Sequence, residues 1–160
     1  MPAHRQTSIR VCFICTGNIC RSPMAEKVFI EHLRRARLDH RVRVSSAGTG
    51  GWHVGDPADP RTEDVLRRHG YPIDHKARQV AVEHTDADLL VALDSGHARS
   101  LRRIVDHPDR IRLLRSFDPD AGADLDVPDP YYGGRPGFDE VLTMIEAAMP
   151  GLLAWVRERL

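Results

Sequence analysis

Ile9-Arg10-Val11-Cys12-Phe13-Ile14-Cys15-Thr16-Gly17-Asn18-Ile19-Cys20-Arg21-Ser22-Pro23 changes character twice within a few residues. Positions 9 to 14 form a short apolar run with β-branched residues, the pattern of a buried strand. Gly17 and Asn18 then break it, and both tolerate the left-handed backbone that a tight curl demands. Ser22 can cap a helix and Pro23 suits a first helical position. Met24, Val28, Phe29 and Leu33 follow on one helical face. A strand feeding a loop and then a helix is the opening unit of an α/β fold.

The same alternation continues outward from this unit. A second strand reads at Val42 to Ser46, followed by the turn-rich AGTGGWHVGDP and by a helix from Pro60 to His69 that Gly70 stops. Ala87 to Leu93 is the strongest later strand, and the helix after it is expected to bury Leu101, Ile104 and Val105. Ile111 to Leu114 is a fourth short strand. From Phe138 to Leu160 the apolar residues Val141, Leu142, Ile145, Met149, Leu152, Leu153, Val156 and Leu160 keep helical register. Pro150 lies inside that register, and because a mid-helix proline costs roughly 3 kcal/mol, a kink or a restarted helix is expected there. The pattern predicts a single α/β domain over residues 1–160, with a four-stranded parallel sheet, helices on both faces and a phosphate-binding loop after strand 1. Residues 117–137 have neither period, and a loop of that length inside a compact domain is usually functional or disordered.

Composition narrows the partners. Lys plus Arg and Asp plus Glu both number 23, so no net field draws the chain to nucleic acid or to an anionic membrane. No stretch approaches the ~20 apolar residues of a membrane span, and the first ten residues lack the apolar segment of a signal peptide. A cytoplasmic monomer is the expectation. The three cysteines, at 12, 15 and 20, have the wrong spacing for a disulfide framework, a C-x-x-C redox pair or a zinc ribbon.

Cys15 stands at the carboxyl end of the first strand, with Arg21 six residues on where a helix begins. Backbone N–H groups of a loop curling into a helix N-terminus point inward, and with the helix dipole they form an anion cradle. That field stabilises negative charge at the loop's first position, which makes Cys15 a nucleophile. Arg21 can grip two oxygens of a phosphoryl group at once, as lysine cannot, and Ser22 offers Cys15 a hydroxyl. Cys12, inside the strand, reads as a small buried hydrophobe. A leaving group would need an acid, and residue type alone does not separate Asp118, Asp120, Asp124, Asp126 and Asp129. A calcium loop fits poorly, because Asp118-x-Asp120-x-Gly122 lacks the fifth-position ligand and Ala123 replaces the needed glycine, so no metal is predicted.

VCFICTGNICRSP resembles the phosphate-binding loop of the low-molecular-weight protein tyrosine phosphatases. The likeness runs on through SSAGTGGWHVGDP, GYPIDHKARQV, ADLLVALD and DVPDPYYGG, and is strongest to bacterial, actinobacterial-type members. It implies a metal-free, cofactor-free phosphatase acting on phosphotyrosine-containing proteins, with Cys15 as nucleophile, Arg21 on the phosphate and Asp129 as general acid and base. It also implies that Thr16, Gly17, Asn18, Ile19, Cys20 and Ser22 surround the phosphate, that Asn18, Ser46 and His75 brace the loop by hydrogen bonds, and that Asp94 matches a family position. Ile19, Trp52, Tyr131 and Tyr132 are the candidate flat walls of a phosphotyrosine pocket. Tyr131 and Tyr132 are also candidate substrates of a tyrosine kinase, and Cys20 a candidate disulfide partner that protects Cys15. Remaining histidines, including His53, His69, His84 and His97, read as surface residues. An arsenate reductase of this fold needs further cysteines downstream of Cys20, and there are none. A phosphoarginine phosphatase typically has threonine at the place of Ile19 and lacks the paired tyrosines. A silent phosphate-binding or redox-sensing module is disfavoured by the coexistence of Cys15, Arg21 and Asp129.

Overall fold

The opening apolar run forms β1 (Ile9–Cys15), buried along its length except at Arg10, as a strand covered on both faces must be. The computed structural model describes residues 8–131 and 135–160. In chain order the other elements are α1 (Arg21–Arg35), β2 (Val42–Gly48), α2 (Pro60–Arg68), α3 (Val82–Thr85), β3 (Leu89–Ala92), α4 (Ser95–Arg102), β4 (Ile111–Leu113) and α5 (Arg135–Arg157), with short 3-10 turns between some of them. The four strands are parallel in the order β2-β1-β3-β4. The chain therefore leaves β1 toward one neighbour and later returns on its other side, so the carboxyl ends of β1 and β3 flank the switch point where such sheets bind ligands.

Side-chain alternation along the strands divides the core. Val11, Phe13, Leu89 and Val91 pack against Met24, Val28 and Phe29 of α1 and Val141 and Ile145 of α5. Cys12, Ile14, Leu90 and Ala92 face Ala98 and Leu101 of α4 on the opposite side. Cys12 is the fully buried small hydrophobe expected of it. No helix among the described residues is long and apolar enough to cross a membrane.

Several local expectations change. α1 starts at Arg21 with Cys20 at the cap position, so Ser22 lies inside the first turn and does not cap; its hydroxyl is engaged elsewhere, as described below. Asn18 has the left-handed φ of 58°, whereas Gly17 does not; the curl needs one such residue, and at Gly17 a Cβ would lie 3.1 Å from the His53 ring. Gly70 has φ 80° just beyond α2, as its role as a helix stop requires. Ile104 is exposed, because α4 ends at Arg102 and the chain turns before Ile104 reaches the sheet. α5 passes through Pro150 without restarting. Met149, Leu152 and Val156 are all fully buried around it, and at about 1.5–3 kcal/mol per such side chain their burial exceeds the proline's cost. The next residue, Gly151, lets α5 press on the turn before it: a Cβ would sit 2.2 Å from the Phe117 carbonyl oxygen.

Candidate active site

The loop from Cys15 to Cys20 is fastened by its carbonyls. Thr49 N–H bonds Cys15 O at 2.9 Å, Gly50 N–H bonds Thr16 O at 3.0 Å, Asp59 N–H bonds Ile19 O at 2.8 Å and Met24 N–H bonds Cys20 O at 3.2 Å. His75 Nε2 donates to Asn18 O at 2.7 Å. In a trans peptide the C=O and the following N–H point to opposite sides, so carbonyls bonded outward turn the amides of Thr16, Gly17, Ile19, Cys20 and Arg21 inward. Gly48, paired with Cys15 across β1 and β2, permits this close fit: a Cβ there would meet Thr16 O at 2.5 Å.

Asn18 fixes the inner side of the loop. Its Oδ1 accepts from Arg78 N at 2.9 Å, which identifies the other terminus as the donor, and Nδ2 then gives both hydrogens, to Ser22 Oγ at 2.8 Å and Ser46 Oγ at 2.9 Å. Ser46 donates in turn to Glu26, whose place in this relay the sequence did not signal. Ser22 Oγ, already an acceptor from Asn18, lies 2.9 Å from Cys15 Sγ and has its own hydrogen to donate to the sulfur. The predicted bracing trio of Asn18, Ser46 and His75 is thus assembled in space from three distant segments.

Arg21, 4% exposed, enters from the first turn of α1. Its Nη1 bonds Asp94 Oδ2 at 2.9 Å and the Val127 carbonyl at 2.8 Å, which ties α1 to the end of β3 and to the long loop. Nη2 lies 3.8 Å from Asp129 Oδ2. Burial raises the Asp94 carboxyl, but the His97 amide and the Arg21 guanidinium outweigh it and hold Asp94 below the usual carboxylate range. Burial, with Asp59 nearby, pushes the Cys20 thiol up to about 12.

These groups surround one pocket of about 370 Å³, lined by Cys15, Thr16, Gly17, Ile19, Cys20, Arg21, Trp52, His53, Asp129 and Tyr131. Trp52 is 76% exposed and its ring lies against Gly50, where a Cβ would be 1.8 Å from the indole. Tyr131 is held by its N–H to Asp129 Oδ1 at 3.0 Å and by the guanidinium of Arg61, 5.5 Å from its ring centroid. Arg61 also pairs with Asp59, the cap of α2, so it joins α2 to the acid-bearing loop. Tyr132 lies outside the described residues. Asn18, Ser22, Ser46 and His75 stand behind the pocket as support rather than along its surface.

The part of the long loop up to Asp126 is tied down by hydrogen bonds that its missing period does not suggest. Arg115 donates to the carbonyls of Asp124 and Asp126, and Asp126 accepts from Ser95 N and Oγ at the start of α4, so Asp126 is not simply a solvated aspartate. His84 and His97 are buried at 4% exposure, not surface residues. His53 borders the pocket, and His69 is exposed.

Comparison with known proteins places this arrangement. The family model described as low molecular weight phosphotyrosine protein phosphatase matches residues 10–160. A low molecular weight protein-tyrosine-phosphatase of Streptomyces coelicolor is 61% identical over 155 residues, covering 94% of each chain. Low molecular weight protein-tyrosine phosphatase A of Mycobacterium tuberculosis is 60% identical over 153 residues, covering 95% of this chain and 94% of its own. The crystal structure of YfkJ from Bacillus subtilis superposes with a TM-score of 0.89 at 38% identity, over 96% of this chain and 97% of that one.

Proposed function

Because the chain belongs to the low molecular weight phosphotyrosine protein phosphatase family and is a protein-tyrosine phosphatase, we propose that it hydrolyses phosphotyrosine on proteins through a phosphocysteine on Cys15. The observation that carries this reading is the convergence of Cys15, Arg21 and Asp129 on one pocket whose floor is a loop with its carbonyls bonded outward.

In the first half-reaction the Cys15 sulfur attacks phosphorus, the S–P bond forms and the P–O bond to the phenol breaks. Asp129, in its acid form, gives the phenolic oxygen its proton. Charge on the equatorial oxygens is met by the inward amides and by Arg21. Nη1 of Arg21 is committed to Asp94 and Val127, so the guanidinium offers its Nη2 and Nε edge to a pair of oxygens. In the second half-reaction the Asp129 carboxylate takes a proton from water, the water oxygen attacks phosphorus, and inorganic phosphate leaves as the Cys15 sulfur is restored.

Asp129→Ala is expected to lower kcat/KM on a phosphotyrosine peptide by about a hundredfold or more, with a much smaller loss of kcat/KM on p-nitrophenyl phosphate, whose leaving group needs no proton. Equal losses of kcat/KM on both substrates would remove Asp129 from the acid's role. Trp52, Tyr131 and Ile19, which line the same pocket, serve as walls for the ring. Gly50→Ala displaces the indole, because its Cβ occupies the ring's position. It should raise KM for the peptide by about two- to tenfold with little change in Tm, and an unchanged KM would take Trp52 out of the substrate site. Tyr131, 37% exposed at the rim, is accessible to a kinase, and a phosphate there would add negative charge beside Asp129.

A further inference from the structure

His97 is buried at the edge of the phosphate loop, and none of the mechanism's steps uses it. It lies at the first turn of α4, whose cap is Asp94: the carboxylate Oδ1 accepts from His97 N at 2.9 Å. The ring reaches back to the loop, with Nε2 2.8 Å from Thr16 Oγ1 and 3.4 Å from Arg21 Nη2. Nδ1 lies 3.2 Å from Asp94 Oδ1 yet forms no hydrogen bond of acceptable geometry, and it is buried. A histidine with one nitrogen left in that condition is a poor choice for a core, where an apolar residue would fill the space without the unpaired atom.

The neighbours fix which nitrogen carries the proton. Arg21 can only donate, so Nε2, facing Nη2, has to be the acceptor, and the proton belongs on Nδ1 toward the Asp94 carboxylate. Thr16 must then give its hydroxyl hydrogen to Nε2. Burial first, and the Arg21 charge second, push the imidazolium down to about 4, so the ring is neutral near pH 7. Asp94 from the end of β3, Arg21 from α1, and Asp126 and Asp129 from the long loop are the charged groups around it.

We propose that His97 is a positioning residue that holds the outer side of the phosphate loop through Thr16 and sets the Nη2 side of the Arg21 guanidinium, as Asn18 holds the inner side. This rests on the reading that the loop and Arg21 bind the phosphoryl group. Neutral His97 accepts two hydrogen bonds with one lone pair, from a loop residue and from the phosphate-gripping arginine, so the two cannot move apart independently.

The test combines kcat/KM for p-nitrophenyl phosphate with the Kd of inorganic phosphate by calorimetry, on wild type, His97→Gln, His97→Leu, Thr16→Val and the Thr16→Val/His97→Leu double variant. The glutamine amide oxygen falls near the place of Nε2 and can accept from both donors. His97→Leu should lose about ten- to a hundredfold in both quantities, His97→Gln should recover most of that loss, and the double variant should match His97→Leu within about twofold. A His97→Gln protein that folds with wild-type Tm but is as weak as His97→Leu would overturn the proposal, as would losses at Thr16 and His97 that multiply. Phosphate affinity is read without turnover, so it reports on His97 even if the covalent step assigned to Cys15 fails.

Discussion

Cys15→Ser lowers kcat on a phosphotyrosine peptide by on the order of 10⁴-fold or more, while inorganic phosphate still binds. The sulfur sits at the end of β1, 2.9 Å from the Ser22 hydroxyl, in a loop whose carbonyls are bonded away from it. Such a setting stabilises a negatively charged nucleophile, but among the described residues the sulfur's side-chain hydrogen-bond partner is the Ser22 hydroxyl, and Asp129 is in its acid form at this step, so neither serves as a base to deprotonate an alcohol. His75 donates to Asn18 O, and His97 is engaged by Thr16 and Arg21. A serine at 15 would therefore stay a neutral hydroxyl. The inward amides and Arg21 are untouched by the change, so phosphate binding persists. Steady-state kinetics beside calorimetry separates the two effects, and a serine variant with substantial turnover would remove the covalent step from the mechanism.

Arg21→Lys lowers kcat/KM by about 10³-fold, although the charge is kept. The guanidinium does three things from one place: it bonds Asp94 Oδ2 at 2.9 Å, bonds the Val127 carbonyl at 2.8 Å, and presents a second edge to the pocket. An ammonium group has three hydrogens on one atom and cannot reach two acceptors on one side while bridging two phosphoryl oxygens on the other. A lysine that turns to the pocket leaves the Val127 carbonyl or Asp94 without its donor, at about 1–3 kcal/mol for a buried group. Tm should fall together with activity, and Arg21→Lys with wild-type kcat/KM would show that a point charge suffices.

The unit that decides the fold was legible because its signals are local. A switch from an apolar run to Gly-Asn and then to a 3.6-residue period identifies β1, the loop and α1, and places Cys15 and Arg21 at the two ends of the loop. Trp52 was legible for a different reason, as a large ring in a Gly-rich turn that has no place in a core. His97 and Glu26 were not, since their roles come from contacts across 81 and 20 positions, Thr16 with His97 and Ser46 with Glu26. Nothing within a turn of either residue distinguishes it from a helical surface residue. Ser22 misled for a related reason: its position before Pro23 suits a cap, but the Asn18 amide and the Cys15 sulfur claim its hydroxyl and the helix begins two residues earlier, at Arg21. Asp129 was separable from the other loop aspartates only by resemblance, because the link from Arg21 to the Val127 carbonyl, which places that loop over the pocket, leaves no mark in the local pattern.

The covalent step is tested most directly by trapping it. Asp129→Ala, turning over p-nitrophenyl phosphate, forms the phosphoenzyme readily but lacks the base that activates water, so the intermediate should accumulate. Rapid quenching followed by peptide mass mapping should find the mass of one phosphoryl group on the peptide that carries Cys15, and none when Cys15 is also replaced by serine. Label on another residue, or no label while phosphate is being released, would contradict a phosphocysteine mechanism.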